Sequence, residues 1–345
     1  MKNVLFIFYI LIILFKTETV LSDNKIFNVN NIEINKENSK NTEKLVFEAF
    51  KNGFNKLINR LLLEKDYKLF LATDLDEIKK LISYYQIIDS EDKVDDKILV
   101  NIFFDKDRMH NFFYEKNILY SDIINTEVIF FPLLIENKKY FIYNKNYFIE
   151  NWNNETLKDS IQYTLPIESI ENIQKIENYK DNIFKMDTSD FFKEYDVENM
   201  LFAIIEKKEN SAKIFLNTKV AGKKLNKTLI LNNIFSSEDE FNNYIITEIK
   251  KLTRDLIKSQ NLIDVRTPSF LNVQIKLQNK SNLVEFNKRI KKIGLINNFY
   301  VQQLNKDYVL VKIKYLGRID KIIKKLKDKK MNLELKNGTW QLSII

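Results

Sequence analysis

Apolar residues recur every three to four positions through Val46, Ala49, Phe50, Phe54, Leu57, Ile58 and Leu61. That spacing predicts an amphipathic helix, opened by Asn41/Thr42 and running to about Leu63. Gly53 inside it costs up to ~1 kcal/mol against alanine, which predicts close packing at that point. Partial alternation over Ile26–Ile34 predicts a first strand. Thr73, followed by Asp76 and Glu77, predicts a helix start, with the helix reaching Tyr84. Tyr85–Asp89 and Lys97–Phe104 read as paired strands, and Asp105 as the cap of a short helix containing Met109, Phe112 and Phe113.

The pattern changes near residue 119. Val128–Leu134 is continuously apolar, as in a strand buried on both faces. Lys139–Tyr143 and Gln162–Ile167 read as strands, Tyr147–Trp152 and Thr188–Tyr195 as short helices. Three strands follow at Asn199–Glu206, Ala212–Val220 and Lys227–Asn232. Ser236/Ser237 then open a long helix with Glu238, Asp239 and Glu240 in its first turn, favourable to the helix dipole. Its core face is Phe241, Tyr244, Ile245, Ile249, Leu252 and Leu256. Asn261–Pro268 reads as a linker. Beyond it come a strand (Phe270–Leu277), a helix (Ser281–Ile293), strands (Phe299–Leu304 and Tyr308–Tyr315), a helix (Asp320–Lys327) and a strand (Asn332–Leu335, continued by Thr339–Ser343). That βαββαβ order is ferredoxin-like. The expected fold class is α/β and α+β: a mixed sheet flanked by helices, with a ferredoxin-like C-terminal domain. The expected organisation is a leader at 1–22, an N-terminal α+β domain at 23–118, an α/β domain at 119–262 and the ferredoxin-like domain at 263–345.

The leader is legible by itself. Lys2 precedes an unbroken apolar run of twelve, Val4–Phe15. As a helix it spans ~18 Å, short of a ~30 Å hydrocarbon core. Val20-Leu21-Ser22 then offers a cleavage site before Asp23. The expected location is outside the inner membrane, in the periplasm, with the remainder soluble once the leader is removed; the rival reading is a leader retained as a membrane anchor.

Composition narrows the chemistry. The 345 residues include no Cys, one His, five Gly and three Pro. Cysteine-based zinc sites, iron–sulfur clusters and disulfide frameworks are excluded, and so are glycine-rich phosphate loops. No cofactor is expected. His110 reads as an ordinary helix histidine; a catalytic role would need a nucleophile and an orienting carboxylate beside it. Asp74, Asp76 and Glu77 read as helix-start residues. Asp105-Lys106-Asp107 lacks the glycine and terminal glutamate of a calcium loop. Net charge is +8, and most of the excess lies near the C-terminus. The candidate contact for an anionic surface is the lysine face of the last helix: Lys321, Lys324, Lys325 and Lys327. Central-strand aromatics such as Phe299, Tyr300 and Tyr308 occur without the glycine–aromatic signature of RNA-binding modules, so nucleic acid is not the expected partner.

The segments VFEAFKNGFNKLINRLL, VIFFPLLI, Asn146–Trp152, YTLPIES and FFKEYDVENMLFAII, in that order, resemble the DUF2066 family of exported proteobacterial proteins of unknown function. VFEAFKNGFNKLINRLL is similar to the family's long helix, and VIFFPLLI to its apolar strand ending in Pro-Leu. Asn146 and Trp152 match the ends of its N-P-W-x-x-x-W segment, with Tyr147 and Phe148 in place of the inner Pro and Trp. YTLPIES and FFKEYDVENMLFAII are similar to the stretches that follow. The resemblance spans residues 26–260 and implies no catalytic residues. Asn199–Gln260 is also similar to the α/β region of TolB-amino-terminal and CsgG-like envelope proteins. The expected function is therefore an exported, non-enzymatic binding or scaffold protein of the cell envelope. Its expected partner is another envelope protein, or anionic lipid or cell-wall polymer. The competing expectation is an envelope polysaccharide or peptidoglycan hydrolase using paired carboxylates.

Overall fold

In the computed structural model, residues 24–36, 41–88, 97–123, 126–154, 161–195, 197–220, 222–277 and 281–345 are described. The leader expected at Met1–Ser22 lies outside them. The chain forms two compact units. Among the described residues, one takes 24–58, Phe70–Tyr120 and Ile263–Ile345; the other takes Asn59–Leu69 and Ser121–Leu262.

In the first unit, alternation in KILVNIFF places Ile98, Val100, Ile102 and Phe104 on one buried face of strand β3 (Lys97–Phe104). β3 is the middle of an antiparallel sheet, between β1 (Asn28–Asn35) and β2 (Ile82–Ile88). Helix α1 (Thr42–Leu61) supplies buried Val46, Ala49, Phe50, Phe54 and Leu57. A Cβ on Gly53 would lie 2.5 Å from Ile102 Cδ1, so the missing side chain is what allows helix and sheet to approach. Helix α2 covers only Leu75–Leu81. Ser83 and Tyr84, expected as its end, belong to β2, where the Tyr84 ring stacks on Phe103 at 4.2 Å. Asp105 caps α3 (Lys106–Glu115) as expected, its Oδ1 accepting from Arg108 N at 2.9 Å.

The same unit holds a five-stranded sheet. The expected βαββαβ run is present as β12 (Ser269–Lys276), α7 (Ser281–Ile290), β13 (Ile296–Leu304), β14 (Tyr308–Tyr315), α8 (Ile319–Asp328) and β15 (Met331–Lys336). A further strand, β16 (Thr339–Ile344), turns back at Asn337-Gly338. Both turn residues have positive φ, as a two-residue hairpin of this kind requires. β16 inserts between β15 and β12, pairing parallel with β12, so the order is β13-β14-β12-β16-β15. Leu271, Val273, Ile275, Val309, Val311 and Ile313 form the buried face, with Phe286, Ile290, Ile322 and Leu326 from the helices. The stretch expected as a linker includes a two-residue strand, β11 (Leu262–Ile263), paired with β4 (Tyr120–Ser121).

The second unit is built on β5 (Thr126–Glu136), buried at every position from Val128 to Ile135. It has helices on both sides. Val128, Phe130 and Leu134 enter one apolar cluster with α4 (Tyr147–Asn151) and α6 (Glu238–Ser259). Ile129, Phe131, Leu133 and Ile135 enter another with α5 (Ile170–Asn178) and the 3-10 turns at Lys180–Lys185 and Thr188–Phe192. The expected helix at Thr188–Tyr195 is thus a shorter 3-10 segment, and α5 was not expected. β8 (Met200–Lys208) runs parallel to β5, and β9 (Ser211–Val220) and β10 (Lys223–Asn232) continue antiparallel.

The other edge of β5 is split. β7 (Ile161–Thr164) pairs with its first residues and β6 (Lys139–Phe141) with its last. Pro132 falls in the gap, where a missing N–H costs nothing. Its carbonyl accepts from Asn146 Nδ2 at 3.0 Å.

Candidate functional site

Charge is divided sharply along the chain. Residues 263–345 hold 18 Lys and Arg against 6 Asp and Glu; the preceding 262 residues hold 37 against 41. The C-terminal module is therefore +12 and the rest −4. It presents this charge on two sides.

The first side is the outer face of α8. At about 100° per residue, Lys321, Lys324 and Lys325 fall within an arc of about 100°, centred about 120° away from Ile322 and Leu326. Those two apolar residues are buried, while Lys324 and Lys325 are exposed. Lys327 is exposed but lies on the flank of that face. Asp328 follows Lys324 by four residues and reduces the local charge. The structure thus brings three of the four expected lysines together.

The second side was not expected. Residues paired across a sheet point to the same face. In β12 and β14 the alternate residues to the core are Phe270, Asn272, Gln274 and Lys276, and Tyr308, Leu310, Lys312 and Lys314. The pairs Phe270–Lys314, Asn272–Lys312 and Lys276–Tyr308 place them on one open face. Tyr300 of β13 joins it opposite Lys312. Phe270 and Tyr300 are each about half exposed. The Lys312 ammonium lies 4.6 Å from the centre of the Phe270 ring. The signal was present in YVLVKIKY, which alternates apolar and polar. Which strands lie beside it is decided by pairing distant in sequence.

The remaining candidates have structural roles. His110 is buried; its Nε2 is 3.0 Å from Tyr120 Oη, and its ring meets Phe27 edge-on at 5.6 Å. Burial, then the nearby Lys106 charge, lowers its pKa from 6.5 to about 4. The folded protein therefore holds it neutral while the unfolded chain protonates it, so stability falls as pH drops through 6.5 toward 4. Between pH 6.5 and 5 the loss expected from this group is about 1.5 kcal/mol. Urea unfolding at those two pH values checks this, and His110→Phe flattens the slope.

Asp76 pairs with Lys79 at 3.8 Å and Glu77 with Lys116 at 3.0 Å. Asp74 is the N-cap residue of α2 without a side-chain cap bond. Asp105, Lys106 and Asp107 border a cleft of about 310 Å³ with Lys291, Asn297 and Asn298. There Lys106 Nζ donates to Ile296 O at 3.4 Å, and burial lowers its pKa against the opposing pull of Asp107. Among the described residues, no three His, Cys, Asp or Glu side chains gather as a metal site, and no helix is long and apolar enough to cross a membrane. No family model, curated protein or solved structure matches this chain, so its functional reading rests on the residues themselves.

Proposed function

We propose that the chain is an exported, non-enzymatic binding protein of the cell envelope whose C-terminal module contacts an acidic partner. The separation of +12 from −4 along one chain is the observation that carries this reading. Such a field attracts polyanions and is screened by salt. The apolar run Val4–Phe15 and the resemblance over residues 26–260 support export. Of the helix-start carboxylates Asp74, Asp76 and Glu77, the last two are paired with lysines rather than with each other.

The test uses the full chain with polygalacturonate and with peptidoglycan. Saturable binding to acidic polymer is expected, weakened at least about tenfold between 0.05 and 0.5 M salt. No new reducing ends are expected. Salt-insensitive binding, or steady release of reducing ends, contradicts the proposal; the second outcome favours the hydrolase. Export is tested separately, by fusing residues 1–22 to a reporter without its own signal. The reporter is expected outside the cytosol, and retention inside overturns that part.

A further inference from the structure

We infer that the open face of the five-stranded sheet binds a linear acidic polysaccharide. This rests on the binding reading above and names its surface and ligand class. Cations are supplied by Lys276 on β12 and by Lys312 and Lys314 on β14. The two β14 lysines stand ~7 Å apart along the strand. Among the described residues of this face, the carboxylate is Glu334 on outer β15, and it is already paired with Lys336 and Asn332. The face therefore offers positive charge that its own sheet does not neutralise.

Its shape and polar groups select among polyanions. Lys312 and Lys314 are half-buried, and Phe270 and Tyr300 beside them are about half exposed. Lys276, Lys312 and Lys314 follow one another along the strand direction, an arrangement that suits charges strung on a single linear chain. The Lys312 ammonium covers one face of Phe270, so that ring steers a cation and offers no free plane for a base on that side. Asn272 lies across from Lys312, and Gln274 lies between Asn272 and Lys276 on β12; both supply donors and acceptors, which suits hydroxyl groups lying between carboxylates.

Calorimetric titration of the full chain with polygalacturonate tests this. Lys312→Gln/Lys314→Gln is expected to raise Kd about tenfold or more, each lysine giving up a charge-assisted hydrogen bond. Phe270→Leu is expected to raise it about threefold by releasing Lys312. Lys321→Gln/Lys324→Gln/Lys325→Gln is expected to change it less than about threefold, as for charges outside the contact. Unchanged unfolding midpoints show that each variant folds. If the sheet-face variant folds and binds like the parent, the inference is wrong. Loss of binding in the helix variant instead leaves the binding reading standing and overturns this one. Stronger binding of polyuridylate, or of phosphatidylglycerol vesicles, names a different occupant and also overturns it. If the parent binds no acidic polymer, both readings fall.

Discussion

Asn146→Ala is expected to destabilise the second unit by about 3–5 kcal/mol. Asn146 is fully buried. Its Nδ2 donates to Pro132 O, Phe141 O and Ile142 O at 2.9–3.0 Å, and its Oδ1 accepts from Phe148 N at 3.1 Å. One side chain therefore fills the gap between β6 and β7, turns the chain after β6 and caps α4. Truncation leaves buried carbonyls and an N–H without partners, each costing about 1–3 kcal/mol. Set against a usual total stability of 5–15 kcal/mol, the variant retains little margin. Asn146→Asp is expected to be worse, because an ionised carboxylate would face three carbonyl oxygens. Denaturant unfolding checks both; a loss below about 1 kcal/mol would mean that Asn146 is not the anchor described.

The second large effect is expected at Lys258. This residue is 3% exposed, and its Nζ donates to Asn59 O and Leu62 O, both at 2.6 Å. Those carbonyls lie at the C-terminal end of α1, where the helix leaves acceptors unsatisfied and favours a cation. One turn earlier on α6, Asp255 accepts from Glu64 N at 3.1 Å, at the start of the next helical turn. The two side chains together fix the break at Leu62–Leu63. Burial raises the pKa of Asp255, and the Lys258 charge opposes that rise. Lys258→Met is expected to cost about 3–5 kcal/mol, because it leaves a buried acceptor pair and a carboxylate without their cation. The sign of the pH effect follows. A carboxyl with a raised folded pKa favours folding below its unfolded pKa and loses that contribution as pH rises through the folded one. Removing Lys258 raises that pKa further, so the variant should lose more stability than the parent between acid and neutral pH. Parallel slopes in the two proteins would contradict the coupling.

Strong local periodicity made much of this fold legible. KILVNIFF, VIFFPLL and the apolar stripe of α6 each announce an element whose type tertiary packing does not change. The misses have local causes. Capping signals at Thr73–Glu77 run into the β-favouring ISYYQII without an intervening Gly or Pro, so the helix looked longer than it is. α5 has apolar residues at Ile170, Ile173 and Ile176, but only Ile176 is buried, and the stripe is narrow. The Asn337-Gly338 turn was readable as a hairpin, yet the insertion of β16 beside β12 depends on a partner more than sixty residues away.

The candidate site divided in the same way. Lysines of one helix face are fixed by the 3.6-residue period, so Lys321, Lys324 and Lys325 could be grouped from sequence. The face that joins Phe270, Tyr300, Lys312 and Lys314 exists only once three strands are in register. Conversely, Asn146 and Trp152 stood out as motif residues and prove to be anchors of the second unit. Trp152 is fully buried, stacked on Phe130 at 3.7 Å, and its carbonyl accepts from Lys250 Nζ at 2.7 Å.

Lysine acylation of the full chain with and without polygalacturonate, read by mass spectrometry, tests most directly where the positive charge acts. Lys276, Lys312 and Lys314 are expected to be protected at saturation, while Lys44 and Lys51 in the net-negative part react as before. Protection confined to residues before 263, or none at saturating polymer, would contradict the assignment of binding to the C-terminal module.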